Sequence, residues 1–171
     1  MDKNLKYFLI FLLPSWMIVL FVHEIGHAST AYFLGARAVS IKFFQGSDVG
    51  YTGWAGLSEF NDGLALFFGP FSTFLLSILL LLVIPRIKNV YLKIFAFIVG
   101  VIAPLDFISY SINGMFGLRQ AIFIGSQLSM GEPQRALRFM GLQEIFAPIL
   151  AFLMLDIYFP YVKIYKKIKW K

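Results

Sequence analysis

The stretch Ile18–Phe33, IVLFVHEIGHASTAYF, decides how this chain is read. It sets two histidines, His23 and His27, and one glutamate, Glu24, inside a run that otherwise has the composition of a lipid-facing helix. Between Lys6 and Arg37, Glu24 is the only Asp, Glu, Lys or Arg. About 20 apolar residues suffice to cross a bilayer as a helix. The segment therefore reads as a membrane span carrying polar groups at depth, where an ionisable side chain costs about 2.5–3.5 kcal/mol on insertion scales. Three such groups on adjacent turns need a compensating interaction.

Outward from that stretch, the pattern repeats. The chain has 171 residues, 59% of them apolar and 14% charged, too little polar surface for a soluble domain of this size. No charge at all falls between Asp62 and Arg86. The expected fold is an all-α membrane protein, one membrane-embedded domain over 1–171, with about four transmembrane helices near 7–34, 64–84, 90–112 and 145–162. Gly35 suits the end of the first helix and Pro85 closes the second. The fourth carries Pro148, Asp156 and Pro160 and is the most interrupted. The start of the chain has the basic head and apolar core of a signal peptide, but the apolar run continues through the histidines without a small-residue cleavage site, so it is expected to stay as a span.

Two connectors have character. VSIKFF, followed by QGSDVG and YTGW, has the β-branched and aromatic residues and the turn material of a short hairpin after the first helix. Between Gly114 and Gln143, Pro133 fits the first turn of a helix, and Ala136, Leu137, Phe139 and Met140 set against Gln134, Arg135 and Arg138 suggest a short helix at the membrane interface.

The formal charge is +6, with Lys163, Lys166, Lys167, Lys169 and Lys171 gathered at the end. In a chain this apolar they read as a headgroup anchor and a topology signal, not as a nucleic-acid surface. Ten of the fifteen Lys and Arg fall in the head, in the loop after the second span and in the tail, which favours both termini on the cytoplasmic side of a cell membrane. Trp54 and Trp170 read as interfacial anchors. The absence of cysteine excludes disulfides and thiolate metal sites.

His23 and His27 are four residues apart, on one face of a helix, and Glu24 stands beside the first. This is the HExxH arrangement: two imidazoles for one zinc ion and a carboxylate for the proton chemistry of water. A catalytic zinc usually has three protein ligands. The third is expected to be Asp106, the only acidic residue of the third span. It lies fifteen residues past Tyr91, and the histidines sixteen and twenty past Tyr7, so at about 1.5 Å per residue the depths agree within a turn or two. Asp156 is the rival; Glu59, Glu132 and Glu144, in loops or at span edges, come after it.

HEIGHASTAYFLGA in a first span, GPFSTFLL in the next and PLD in a later one resemble the site-2 protease family of intramembrane zinc metalloproteases. The resemblance runs from Phe21 to about Asp106. It implies Zn2+ on His23, His27 and Asp106, Glu24 as the catalytic residue, and cleavage of transmembrane or membrane-associated protein substrates, aligned by a β-rich loop in the place of VSIKFFQGSDVGYTGW. Departures are visible. Thr73 stands where the family has an asparagine after the Gly-Pro pair, and FIVGVIAPLDF has neither the upstream asparagine nor the glycine after the aspartate. The family more often has its first motif near the cytoplasmic face after an outside N-terminus, opposite to the basic-residue count. Gly69 and Pro70 read first as helix-packing residues. The expected function is a zinc metalloendopeptidase acting within the membrane. The alternatives are a non-catalytic zinc-binding membrane regulatory protein and, behind it, a metal transporter.

Overall fold

The computed structural model describes residues 3–45, 48–116 and 131–166. The tip of the expected turn at 46–47, the tail lysines 167, 169 and 171 and Trp170 lie outside the described residues. Helix α1 spans Lys3–Phe33. An antiparallel hairpin follows, β1 at Ala38–Gln45 and β2 at Asp48–Ala55, with Ala38 opposite Ala55 and Ile41 opposite Thr52. Helix α2 spans Glu59–Val83 and tightens into a 3-10 turn at Ile84–Arg86. Helix α3 is Val90–Phe116, α4 is Glu132–Phe139, α5 is Phe146–Met154 and α6 is Tyr158–Tyr165, the last two joined by a 3-10 turn at Leu155–Ile157.

Local chemistry sets these limits. Gly35 has φ +87°, a left-handed conformation that costs glycine little. Its N–H reaches Tyr32 O at 3.0 Å and that of Ala36 reaches Ala31 O at 3.0 Å, the paired bonds that close a helix C-terminus. Ser58 caps α2 through its hydroxyl, which accepts from the Asn61 N–H, and Glu59 and Asp62 lie in the first turn, where the helix dipole favours acids. Asn89 Oδ1 accepts from the N–H of Tyr91 at 2.9 Å and of Leu92 at 3.1 Å, capping α3.

Four helical stretches are long and apolar enough to cross a membrane: Lys6–Phe33, Glu59–Arg86, Val90–Ile112 and Phe146–Tyr165. They match the four expected from the charge-free runs. Phe8, Leu9, Leu13 and Phe21 on α1 and Leu75, Leu79 and Leu82 on α2 are turned outward, the surface that lipid would cover. The interior is built on α1, α2 and α3, which pack on one another in all three pairs. Val19 of α1 meets Val99 and Ala103 of α3, with Leu76 and Leu80 of α2 beside them. The fourth stretch is fastened to α3: Phe107 and Ile108 pack with Ala151 and Met154, and Tyr161 fills a niche beside Ile84 and Ala96. The Tyr161 hydroxyl donates to Ser77 O at 2.7 Å, and the Ser77 hydroxyl reaches Gly100 O at 2.6 Å. Helix α4, expected at the membrane interface, packs inward on α2 and α3, burying Pro133, Gln134, Ala136 and Leu137.

Candidate metal centre

The three polar groups of α1 all point inward. His23, Glu24 and His27 are buried, as is Asp106 of α3. The spacing of four residues stacks the two imidazoles one turn apart, ring centroids 4.6 Å from each other.

Each ring is held by its Nδ1. His23 Nδ1 lies 2.6 Å from Asp106 Oδ2, and His27 Nδ1 lies 2.7 Å from the carbonyl of Ala65 on α2. A carboxylate and a carbonyl can only accept, so both Nδ1 atoms carry the hydrogen. In each neutral ring the lone pair is then on Nε2. Those two Nε2 atoms face each other at 3.0 Å. Glu132 Oε2, from the first turn of α4, completes a triangle, 3.1 Å from His23 Nε2 and 3.4 Å from His27 Nε2. Among the described residues this oxygen is buried with no hydrogen-bond donor. With both rings neutral, three electron pairs converge on one point, an arrangement that a cation would satisfy.

The dimensions suit a small divalent cation. Nitrogen and carboxylate ligands at about 2.0–2.1 Å from a tetrahedral zinc stand about 3.3–3.4 Å apart. The observed edges of 3.0, 3.1 and 3.4 Å are close to that figure. Two imidazoles and a carboxylate, with no thiolate, are the donor set of catalytic zinc sites, which hold three protein ligands and leave the fourth position for water or substrate. His23, His27 and Glu132 could together hold a metal ion. Burial raises the Glu132 carboxyl, but positive charge on the imidazoles of His27 and then His23 outweighs burial and holds it well below the usual carboxylate range; in the metal-free cluster that charge is a proton, whose place a metal cation would take.

The sequence-expected residues meet as follows. His23 and His27 come together, and Glu24, the residue after His23, is buried against Thr52 of β2. Asp106 joins them at the depth expected, but on the Nδ1 side of His23, away from the Nε2 triangle. It is anchored there by Thr73, whose hydroxyl lies 3.0 Å from the same Oδ2 and 2.7 Å from Pro70 O. Thr73, standing where the resemblance implies an asparagine, thus belongs to the site network. Asp156 is exposed on the 3-10 turn between α5 and α6, Glu59 is exposed at the start of α2, and Glu144 lies 3.9 Å from Arg138 on the surface. None of these three joins the cluster.

Gly69 packs, as expected, but what it packs against is His27: a Cβ at position 69 would overlap the imidazole. Residues of β2 line the other side. Gly50, Thr52 and Trp54 alternate along the strand and so share one face. A Cβ on Gly50 would stand 2.8 Å from Glu24 Oε1. Thr52 Oγ1 lies 2.6 Å from Glu24 Oε2 and 3.1 Å from Glu24 O. The Trp54 ring lies 5.8 Å from that of His27, its Nε1–H bonded to Asp62 Oδ1 at 2.8 Å. Trp54, expected as an interfacial anchor, thus forms part of the site wall. On the α3 side Tyr110 stacks on His23 at 5.6 Å.

Comparison with known proteins finds no matching family model, no matching curated protein and no matching solved structure.

Proposed function

We propose that this chain is an intramembrane zinc metalloendopeptidase, related in mechanism to the site-2 proteases, that hydrolyses peptide bonds of transmembrane or membrane-adjacent substrates. The observation that carries the reading is the triangle of His23 Nε2, His27 Nε2 and Glu132 Oε2 with the Glu24 carboxylate on the adjoining position of the same helix. In this reading Glu132 is the third ligand, and Asp106 orients His23 through its outer nitrogen, the carboxylate–histidine–metal arrangement that fixes ring tautomer and raises ligand basicity.

Zinc in this cradle supplies Lewis acidity, polarising a carbonyl oxygen and acidifying water. The protein's own groups do the rest. Glu24, buried and held by Thr52, takes a proton from the attacking water as its oxygen adds to the scissile carbonyl carbon. The same carboxyl then gives that proton to the amide nitrogen as the C–N bond breaks. Tyr110 and Trp54 close the flanks of the imidazoles. Four helices long and apolar enough to cross a membrane support a reaction at membrane depth, and with it a substrate that is itself in or near the bilayer.

The test is purified protein in proteoliposomes with a model transmembrane substrate. Wild-type protein is expected to cleave it and Glu24→Gln to bind zinc but cleave about 10²–10⁴-fold more slowly, the contribution of general acid–base catalysis. Cleavage undiminished in Glu24→Gln would overturn the mechanism. Zinc bound by wild-type protein without any hydrolysis would leave a metal-binding membrane protein instead.

A further inference from the structure

We infer that Thr52 of the β-hairpin is a positioning residue for the general base, so that the geometry of Glu24 is set by the strand and not by the helix that carries it. This rests on the peptidase reading above and adds to it a specific device.

A glutamate side chain on a helix has three rotatable bonds, and nothing in α1 itself chooses among its rotamers. The choice is made across the gap to β2. The Thr52 hydroxyl has one hydrogen and two acceptors in reach, Glu24 Oε2 at 2.6 Å and Glu24 O at 3.1 Å. The carboxylate oxygen is nearer and, when ionised, forms the stronger bond. Thr52 is buried, so water does not compete for it. Two residues along the same face, Gly50 leaves just enough room for the other carboxylate oxygen: a Cβ there would stand 2.8 Å from both Glu24 Oε1 and Leu20 Cδ1. Oε2 is thus pinned by a donor, and the space Oε1 occupies exists because residue 50 has no side chain, both features of one strand. Register explains why both fall on the same side, since residues 50, 52 and 54 alternate with outward-facing neighbours and β1 fixes Thr52 opposite Ile41. Any shift of β2 by one residue would turn this face away and release the base.

The experiment compares Thr52→Val, Thr52→Ser and Gly50→Ala in the full chain. Valine keeps the shape and removes the hydroxyl; serine keeps the hydroxyl. A misplaced catalytic group can cost about 10²-fold, so Thr52→Val is expected to lower kcat by roughly that factor with zinc content and KM little changed. Thr52→Ser should restore most of the rate, and Gly50→Ala, which crowds Oε1 without touching the hydroxyl, should fall towards the valine variant. An independent readout uses metal-free protein labelled with ¹³C at the glutamate carboxyls. The Glu24 resonance, assigned by its loss in Glu24→Gln, should move in Thr52→Val and return in Thr52→Ser. A resonance that does not move, or full kcat in Thr52→Val while Glu24→Gln is slowed, overturns this inference and leaves the peptidase reading intact. Absence of cleavage in wild-type protein overturns the peptidase reading, and the role assigned to Thr52 falls with it.

Discussion

Removing the charge of Glu132 and removing that of Asp106 should have different consequences, and the difference can be worked from their positions. Glu132 Oε2 faces both Nε2 atoms, at 3.1 and 3.4 Å, whereas Asp106 Oδ2 faces only Nδ1 of His23, at 2.6 Å. Apparent zinc binding energies of about 10–16 kcal/mol for four-ligand sites give roughly 2.5–4 kcal/mol per ligand. Glu132→Gln should therefore weaken zinc by about 10²–10³-fold, at 1.4 kcal/mol per factor of ten. Partners in the outer shell typically contribute about 10–100-fold. Asp106→Asn keeps an oxygen that can still accept from His23 and Thr73, so it belongs at the lower end of that range. The assay is competition with a chromophoric chelator in detergent micelles, backed by X-ray absorption to count light ligands on the bound zinc. Glu132→Gln should lose one of them and Asp106→Asn none. The reverse order, with Asp106→Asn losing a ligand and the greater part of the affinity, would refute the assignment and return Asp106 to the coordination sphere.

Gly69→Ala should abolish zinc binding while the chain still folds, because its Cβ would occupy the space of the His27 ring and the cheapest relief is for the imidazole to swing away from Ala65; zinc content together with circular dichroism checks this. Tyr161→Phe removes a hydroxyl that donates to Ser77 O at 2.7 Å and should lower resistance to unfolding by about 0.6–1.7 kcal/mol, the range of hydrogen bonds within membrane bundles, measurable as reduced tolerance to denaturing detergent without change in zinc content.

What the chain discloses before folding, and what it does not, follows from how each residue reaches the site. The four helical stretches were legible because a span needs only length and the absence of charge, both local properties. The histidine pair was legible because four residues are one helical turn. Depth along a helix can likewise be counted, so Asp106 was placed level with the histidines. Azimuth cannot be counted, and which ring nitrogen Asp106 would meet depends on how α3 is rotated against α1. Glu132 was ranked behind Asp106 for a related reason: its place depends on where the chain returns after α3, which no spacing records. One signal pointed to it. It is the only carboxylate between Gly114 and Gln143, and it stands immediately before the proline of a helix start. In the hairpin, alternation put Gly50, Thr52 and Trp54 on a common face, but only the packing of β2 on α1 shows that this face is turned towards the site.

The order in which the site's parts occur along the chain has a consequence for biosynthesis. The imidazoles emerge in the first helix, whereas the oxygen that joins them arrives on α4, after three of the four apolar stretches have been made. A nascent chain stopped short of Glu132 presents two rings and no anion between them. Metal capture by the triangle therefore has to wait for the late docking of a short helix, and the ion would then fasten the end of the bundle to its beginning.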